Sequence, residues 1–395
     1  MPAATIDQVP GVLAVARELA ERCAEFTARI AAVPAPTNDE SARARLVREM
    51  LDAEGYVDVH IDEMSNVVGR IPGAGRSNRA LLLAAHLDTV FPRDTPINVR
   101  RHGRRLEAPG IGDNSVSIAA AVLVHRAFRQ LGWRPAVDIL VTGNVGEEGL
   151  GDLRGMRAVL DAYPEVGAAI AIEGHTLGRI THQSVGSRRY RITLNGPGGH
   201  SWGDAGRPSA IHAAAHLVAR LDTLRLPTQP KTSLNVGMFE GGISVNTIAP
   251  TATLVVDVRS VDAEVLSDVT RRVEREARAI RSNGIDVTID IVGDRPAGRM
   301  PIDRGIVAVG ISVLKALGID AVCDASSTDA NVPMSRGIPS MCIGLASGGN
   351  VHRTDEYIVL DQLPAGLAQL ILVTAAVADG LGNDTLSGRR TDDAR

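Results

Sequence analysis

Leu81-Leu82-Leu83-Ala84-Ala85-His86-Leu87-Asp88-Thr89-Val90 opens with five apolar residues that do not alternate and closes on a polar cluster. A strand with one wet face would alternate, so this run suits a strand buried on both faces of a parallel sheet. His86 would then emerge at the C-terminal end of the strand, where open α/β sheets place their sites, as a metal ligand or a base. Asp88, two residues on and on the same side, would hydrogen-bond the far ring nitrogen and fix the tautomer. His-x-Asp alone is a weak signal, because a histidine at a strand end is commonly a satisfied structural residue.

Two further strands have the same texture. Residues 137–142 run into Gly146-Glu147-Glu148-Gly149, and residues 168–172 run into Glu173. Apolar periodicity predicts helices over 10–33 and 39–54, with short strands at 57–62 and 66–71 and a hairpin near 98–106. A helix over 118–128 would be capped by Ser115 or Ser117, with Asp113 in the tight loop before it. Three apolar strands, each ending in His or Glu and alternating with helices, describe an α/β fold: a mixed, mostly parallel sheet with helices on both faces.

From about residue 181 the texture changes. Alternating stretches at 187–195, 233–239 and 251–260, helices at 208–221 and 263–281, and a strand at 286–292 give a β-α-β-β-α-β order. That order is ferredoxin-like and reads as an α+β domain inserted into the first. The α/β pattern returns at 301 with a helix to 317, a strand near 340–343 and a helix from 360. The expected division is therefore 1–180 with 297–395 for the α/β domain, and 181–296 for the insert.

Bulk composition limits the partners. The chain has 395 residues, 44% hydrophobic and 22% charged, with a net charge of −4. Two domains are the fair expectation at that length. A slightly acidic chain lacks the basic face that nucleic acid or an anionic membrane surface requires, so neither partner is expected. Cys23, Cys323 and Cys342 form no C-x-x-C pair and leave an odd count. That pattern excludes a disulfide framework and a thiolate zinc site and points to a reduced, cytoplasmic setting. No apolar run reaches the roughly 20 residues of a membrane span. Residues 367–377 read as a packed C-terminal helix, and 381–395 as a polar disordered tail.

The groups at the predicted strand ends and loops of the first domain are His86, Asp113, Glu147, Glu148, Glu173 and, in the returning segment, His352. Two histidines and several carboxylates without cysteine are a donor set for hard or borderline divalent metals. Six groups are too many for one ion, and a carboxylate left over could bridge a pair. Each has a plain structural reading: a helix-entry cap for Asp113, a solvated turn for Glu147 and Glu148, a surface loop for His352. All six being plain together is the harder case.

At this point the chain resembles the di-zinc amidohydrolase family of aminoacylases, acetylornithine and succinyl-diaminopimelate deacylases and glutamate-releasing carboxypeptidases. The resemblance rests on His86-Leu87-Asp88-Thr89-Val90, Gly112-Asp113-Asn114, Gly146-Glu147-Glu148-Gly149, Ile172-Glu173-Gly174 and Gly198-Gly199-His200-Ser201. It continues through Val245-Asn246, Asp257-Val258-Arg259, Thr328-Asp329-Ala330 and His352-Arg353-Thr354-Asp355-Glu356. It implies two divalent ions, zinc first, with cobalt or manganese also suited. His86 and Glu173 would hold one ion and Glu148 and His352 the other, with Asp113 bridging and Asp88 orienting His86. Glu147 would be the general base for a metal-bridging hydroxide, facing away from Glu148 because adjacent residues of an extended chain point to opposite sides.

The same resemblance makes the insert a lid and dimerisation domain, with His200 stabilising the oxyanion across a homodimer. Asn246 and Arg259 would grip the carboxylate of a small-molecule substrate. The implied reaction is hydrolysis of a C–N bond, an amide in an N-acyl amino acid or small peptide with a free carboxylate. Glu173 matches the aminoacylase and carboxypeptidase branch, where aminopeptidases and tripeptidases tend to show Asp. Asn114-Ser115 departs from the acidic or Met residue, then Lys and Gly, that many relatives carry after the bridging Asp, and relatives have a cis peptide there.

Other readings remain. The same site could cleave a carbamoyl or aryl-amine C–N bond, and a non-catalytic metal-binding protein could keep the fold. Gly199-His200-Ser201-Trp202-Gly203 matches the G-x-S-x-G elbow of a serine hydrolase, with Asp329 and His352 following in order. An elbow serine must leave a buried strand directly, and Gly196-Pro197-Gly198-Gly199 intervene here. His212 and His216 are spaced i, i+4, but Ala213 stands where a zinc-protease helix needs glutamate.

Overall fold

The computed structural model describes residues 8–75, 77–281 and 284–386. The chain divides into two compact units, one of residues 1–184 with 299–395 and one of Val185–Gly298.

In the first unit the Ala80–His86 strand is buried along its whole length. Both neighbours, Asp138–Asn144 and Val166–Glu173, run parallel to it. The sheet continues on one side through Val67–Ile71 and Val57–Ile61, and on the other through Ser340–Gly344 and Arg179–Ser184. Alternate side chains of the central strand enter two different cores. Leu81, Leu83 and Ala85 pack with the helices Val9–Ala31, Ser117–Gln130 and Leu363–Gly382. Ala80, Leu82 and Ala84 pack on the opposite face with Met156, Val159 and Leu160 of the Arg154–Ala162 helix. Burial on both faces explains the absence of polar alternation in this stretch.

The second unit is a four-stranded antiparallel sheet ordered Thr232–Gly241, Thr251–Ser260, Gly186–Asn195, Asp286–Arg295. Helices Ala210–Asp222 and Ala263–Arg278 share one core with its inward-facing Tyr190, Ile192, Leu194, Leu254, Val256 and Val258. Thr251–Ser260 alternates between buried and more exposed positions, as a strand covered on one face must.

Several local expectations need correction. Neither Ser115 nor Ser117 caps the Ser117–Gln130 helix. The chain enters it through a wide turn over Ile111–Val116, and the Ser115 hydroxyl donates to the Gly110 carbonyl instead (2.6 Å). Residues 381–386 are not a disordered tail: the last helix runs to Gly382 and Leu386 is buried against it. Residues 387–395 lie outside the described residues. Residues 181–184 complete the Arg179–Ser184 strand of the first unit, pairing with Val322–Ser326 and Ser340–Gly344.

Candidate metal centre

His86 stands at the C-terminal end of the central strand, 2% exposed. Its Nε2 lies 3.0 Å from Asp113 Oδ1 and 3.7 Å from Glu173 Oε2. Glu173 ends the neighbouring parallel strand, so pairing of the two strands brings these groups together. On the other side of Asp113, its Oδ2 lies 3.1 Å from His352 Nε2, and His352 Nε2 lies 3.1 Å from Glu148 Oε1. One carboxylate therefore faces two histidines through its two oxygens. The Asp113–Asn114 peptide is cis.

Glu147 and Glu148 follow the Asp138–Asn144 strand. Their carboxylates converge: one oxygen from each lies within 4.8 Å of the other and of a His86 nitrogen. The opposite-sides expectation assumed an extended chain, whereas the strand ends at Asn144 and the chain turns at Gly146, φ +70°. That left-handed conformation favours glycine, and a Cβ there would push the Arg154 guanidinium aside, its Nη1 standing 2.1 Å away. The turn is then held from below by two buried acids. Glu40 Oε1 accepts from the Gly146 N–H at 3.1 Å and from Arg154 Nη2 at 2.6 Å. Asp88 Oδ1 accepts from the Glu147 N–H at 3.0 Å, and Oδ2 from the Glu148 N–H at 2.9 Å and the Thr37 hydroxyl at 2.8 Å.

That arrangement changes the part Asp88 plays. His86 Nδ1 is 3.0 Å from the main-chain carbonyl of Asp88 and 3.7 Å from its carboxylate Oδ1. The carbonyl fixes the ring, which leaves the carboxylate to fix the 147–148 backbone.

The charges are strongly coupled. Burial alone would lower the His86 pKa, but hydrogen bonds to Asp113 and Glu173 outweigh it and hold the ring well above the ordinary imidazole value. Burial likewise opposes ionisation of Asp113, yet His352 and His86 hold it well below the usual carboxylate range. Asp113 and Glu148 raise His352 to about 10. Glu148 is raised, chiefly by burial. Without ions, the two histidines are held as cations by the carboxylates.

The donor set fits divalent metal ions. Around a tetrahedral zinc, ligand atoms about 2.0–2.2 Å from the ion lie about 3.3 Å from one another. The His86, Asp113, Glu173 and Asp113, Glu148, His352 sets each keep their donor atoms within 4.8 Å, with measured pairs at 3.0, 3.1 and 3.7 Å. A bound metal would compete with protons for these atoms.

The remaining sequence-predicted residues, His200, Asn246 and Arg259, belong to the second unit. His200 is exposed on a two-residue strand paired with Thr247–Ile248, and its Nδ1 accepts from the Trp202 and Gly203 N–H groups at 3.2 Å. The Asn246 carbonyl accepts from the Ser201 N–H (2.9 Å), which places the two segments side by side. Arg259 Nε donates to Asp257 Oδ2 at 2.6 Å. Ser201 is exposed and follows that short strand rather than a buried one.

Sequence reading missed the acids and partners behind the centre: Thr37, Glu40 and Arg43, whose buried guanidinium donates to the Leu87 carbonyl at 2.8 Å, and Glu356 with His175. A buried Glu or Arg leaves no periodic trace. Asp329 also lies buried here, accepting from Asn144 Nδ2 at 3.0 Å, with burial pushing it up to about 7.

A family model described as Peptidase family M20/M25/M40 matches residues 82–374. Carboxypeptidase G2 of Pseudomonas sp. (strain RS-16) is 26% identical over 328 residues, covering 78% of this chain and 76% of that protein. The crystal structure of a tripeptidase from Staphylococcus aureus subsp. aureus mu50 superposes with a TM-score of 0.77 at 21% identity, covering 91% of this chain and 99% of that one. A Bacillus subtilis protein described as a dinuclear metal binding peptidase gives a TM-score of 0.67 at 15% identity, over 92% and 99%.

Proposed function

The chain belongs to peptidase family M20/M25/M40 and is a hydrolase of peptide or amide bonds, and from that premise we propose that it cleaves the amide of an N-acyl amino acid or small peptide bearing a free carboxylate. The observation that carries the reading is the Asp113 carboxylate, with Oδ1 3.0 Å from His86 and Oδ2 3.1 Å from His352. His86 and Glu173 would hold one divalent ion and Glu148 and His352 the second, with Asp113 placed to serve both, zinc being the first choice for nitrogen and oxygen donors. Bound there, the pair supplies Lewis acidity toward a carbonyl oxygen and a lowered pKa for water.

The protein's own groups do the rest. Glu147, 6% exposed, accepts a proton from the attacking water and returns it to the leaving amine. Asp88 sets the backbone that aims Glu147, and the Asp88 carbonyl holds His86 in the tautomer whose Nε2 lone pair faces the metal. Across a pair of copies His200 would hydrogen-bond the oxyanion developing in the partner's centre, and Asn246 and Arg259 would bind the substrate carboxylate, for which the guanidinium offers a planar fork. The second unit also pairs two copies of the chain. In support, its edge strand Thr232–Gly241 leaves Met238 and Phe239 exposed, and the loop beyond leaves Ile243 and Val245 exposed.

The test is a panel of N-acyl amino acids, dipeptides and aryl amides, each with and without its free carboxylate, assayed with zinc, cobalt or manganese. Chelator-sensitive hydrolysis restricted to the carboxylates is the expected result. Equal rates on the blocked compounds would remove the carboxylate preference, and hydrolysis untouched by chelator would remove the metal centre. Sedimentation of the intact protein checks the dimer.

A further inference from the structure

Glu356 is fully buried, and four donors point at its carboxylate. Oε2 accepts from the Gly110 N–H at 2.9 Å. Oε1 accepts from the Gly112 N–H at 3.1 Å and the Asp113 N–H at 2.8 Å, and lies 2.7 Å from His175 Nε2. The Gly110–Asp113 loop needs such an outside acceptor. Asp113 (φ −103°, ψ 87°) and Asn114 (φ −132°, ψ 28°) depart from helical geometry, so the loop's N–H groups lack the regular partners a helix would provide. The space is shaped to that purpose: a Cβ on Gly112 would stand 2.1 Å from His175 Nε2 and 2.9 Å from Glu356 Oε1.

Each segment tied by this carboxylate carries one of the proposed ligands. The loop carries Asp113, His175 lies two residues beyond Glu173, and Glu356 lies four residues beyond His352. Resting on the two-ion reading above, we infer that Glu356 is a positioning residue that, with His175, locks these three ligand-bearing segments into one block and sets the bridging carboxylate of Asp113. A buried acid serving only the fold would have no reason to sit on one ligand segment and collect its donors from two others. Glu54 is such an acid: equally buried, it pairs with Arg22 and Arg126 away from the centre.

The experiment is cobalt(II) titration of the intact wild-type protein and of Glu356→Gln, His175→Ala and Glu54→Gln. It follows visible absorption and chelator competition, with thermal unfolding of the ion-free forms alongside. The Glu356→Gln change keeps one acceptor oxygen and turns an amide toward an N–H donor. The expected result is an affinity about 10–100-fold weaker with an altered cobalt spectrum, since partners behind metal ligands act on that scale. Activity should return at high cobalt with KM unchanged. His175→Ala, which removes one donor of four, should shift affinity in the same direction by less, and it carries the test if the Glu356→Gln protein does not fold. Glu54→Gln should lower the unfolding temperature and leave cobalt affinity at wild type. Wild-type cobalt affinity and spectrum in the Glu356→Gln and His175→Ala proteins would overturn the role of Glu356, even if their unfolding temperatures fell. A wild-type protein that takes up no cobalt would instead overturn the two-ion reading.

Discussion

Replacing Asp88 by Asn isolates the part of the centre that aims the base. The Asp88 carboxylate takes three donors on two oxygens: the Glu147 N–H on Oδ1, and the Glu148 N–H and Thr37 hydroxyl on Oδ2. Asparagine has one acceptor oxygen. Its lowest-cost orientation keeps that oxygen on Glu148 and Thr37, and turns the amide group against the Glu147 N–H. One buried N–H left unsatisfied costs about 1–3 kcal/mol, and loss of the charge from the two surviving bonds adds about 1 kcal/mol, so stability should fall by about 2–4 kcal/mol. The strain is relieved by movement at residue 147. If its 1–3 kcal/mol is expressed in the transition state, kcat falls about 5–150-fold, a factor of ten per 1.4 kcal/mol.

The His86 ring is held by the Asp88 carbonyl, which asparagine retains, so metal content should stay at the wild-type level. Steady-state kinetics, metal analysis and chemical denaturation of the same preparations read all three quantities. Thr37→Val, which removes one donor and strands none, should cost about 1 kcal/mol and affect kcat less. A kcat within about twofold of wild type, or loss of metal with the kinetics of the loaded fraction intact, would show that the carboxylate does not aim Glu147.

Further expectations follow from the same geometry. Glu147→Gln should bind two ions and lose roughly 10²–10⁴-fold in kcat; retained turnover would remove the base assignment. His352 is raised from 6.5 to about 10 by Asp113 and Glu148 in the ion-free protein. A raised folded-state pKa gives stability that is complete below about pH 6.5 and lost as pH climbs through about 10. The stability difference between ion-free wild type and His352→Asn should therefore shrink over that window in denaturation series, and a difference growing with pH would contradict the pairing. Leu82→Ala, at a fully buried position between the two parallel neighbours, should destabilise by about 3–5 kcal/mol without changing metal stoichiometry.

The fold was legible where one physical demand dominated. Leu81-Leu82-Leu83 could be read as a doubly buried strand because two cores, one on each face, both exclude polar side chains. The Thr251–Ser260 strand could be read from its alternation because only one of its faces is covered. The Arg154–Ala162 helix and the Val322–Ser326 strand escaped, being only nine and five residues long. Ser115 illustrates a different failure. It stands at capping distance in sequence, but its hydroxyl donates to the Gly110 carbonyl of the loop and the helix has no side-chain cap.

For the centre, residues at strand ends were visible because a strand end fixes direction. The supports were not. Glu40, Glu356 and His175 act across separations of 106, 243 and 181 residues, so even Glu356, inside the His352–Glu356 motif, shows no partner in its local sequence. The bond to His86 ran through the Asp88 carbonyl rather than its side chain, a distinction that sequence spacing cannot make.

The account stands on one carboxylate shared by two metal-binding sets. Crystals of the zinc-loaded protein, measured on both sides of the zinc absorption edge, test it directly. Two anomalous peaks should appear, one among His86, Asp113 and Glu173 and one among Asp113, Glu148 and His352. No peak at these side chains, or peaks only elsewhere in a protein that still hydrolyses its substrate, would contradict it.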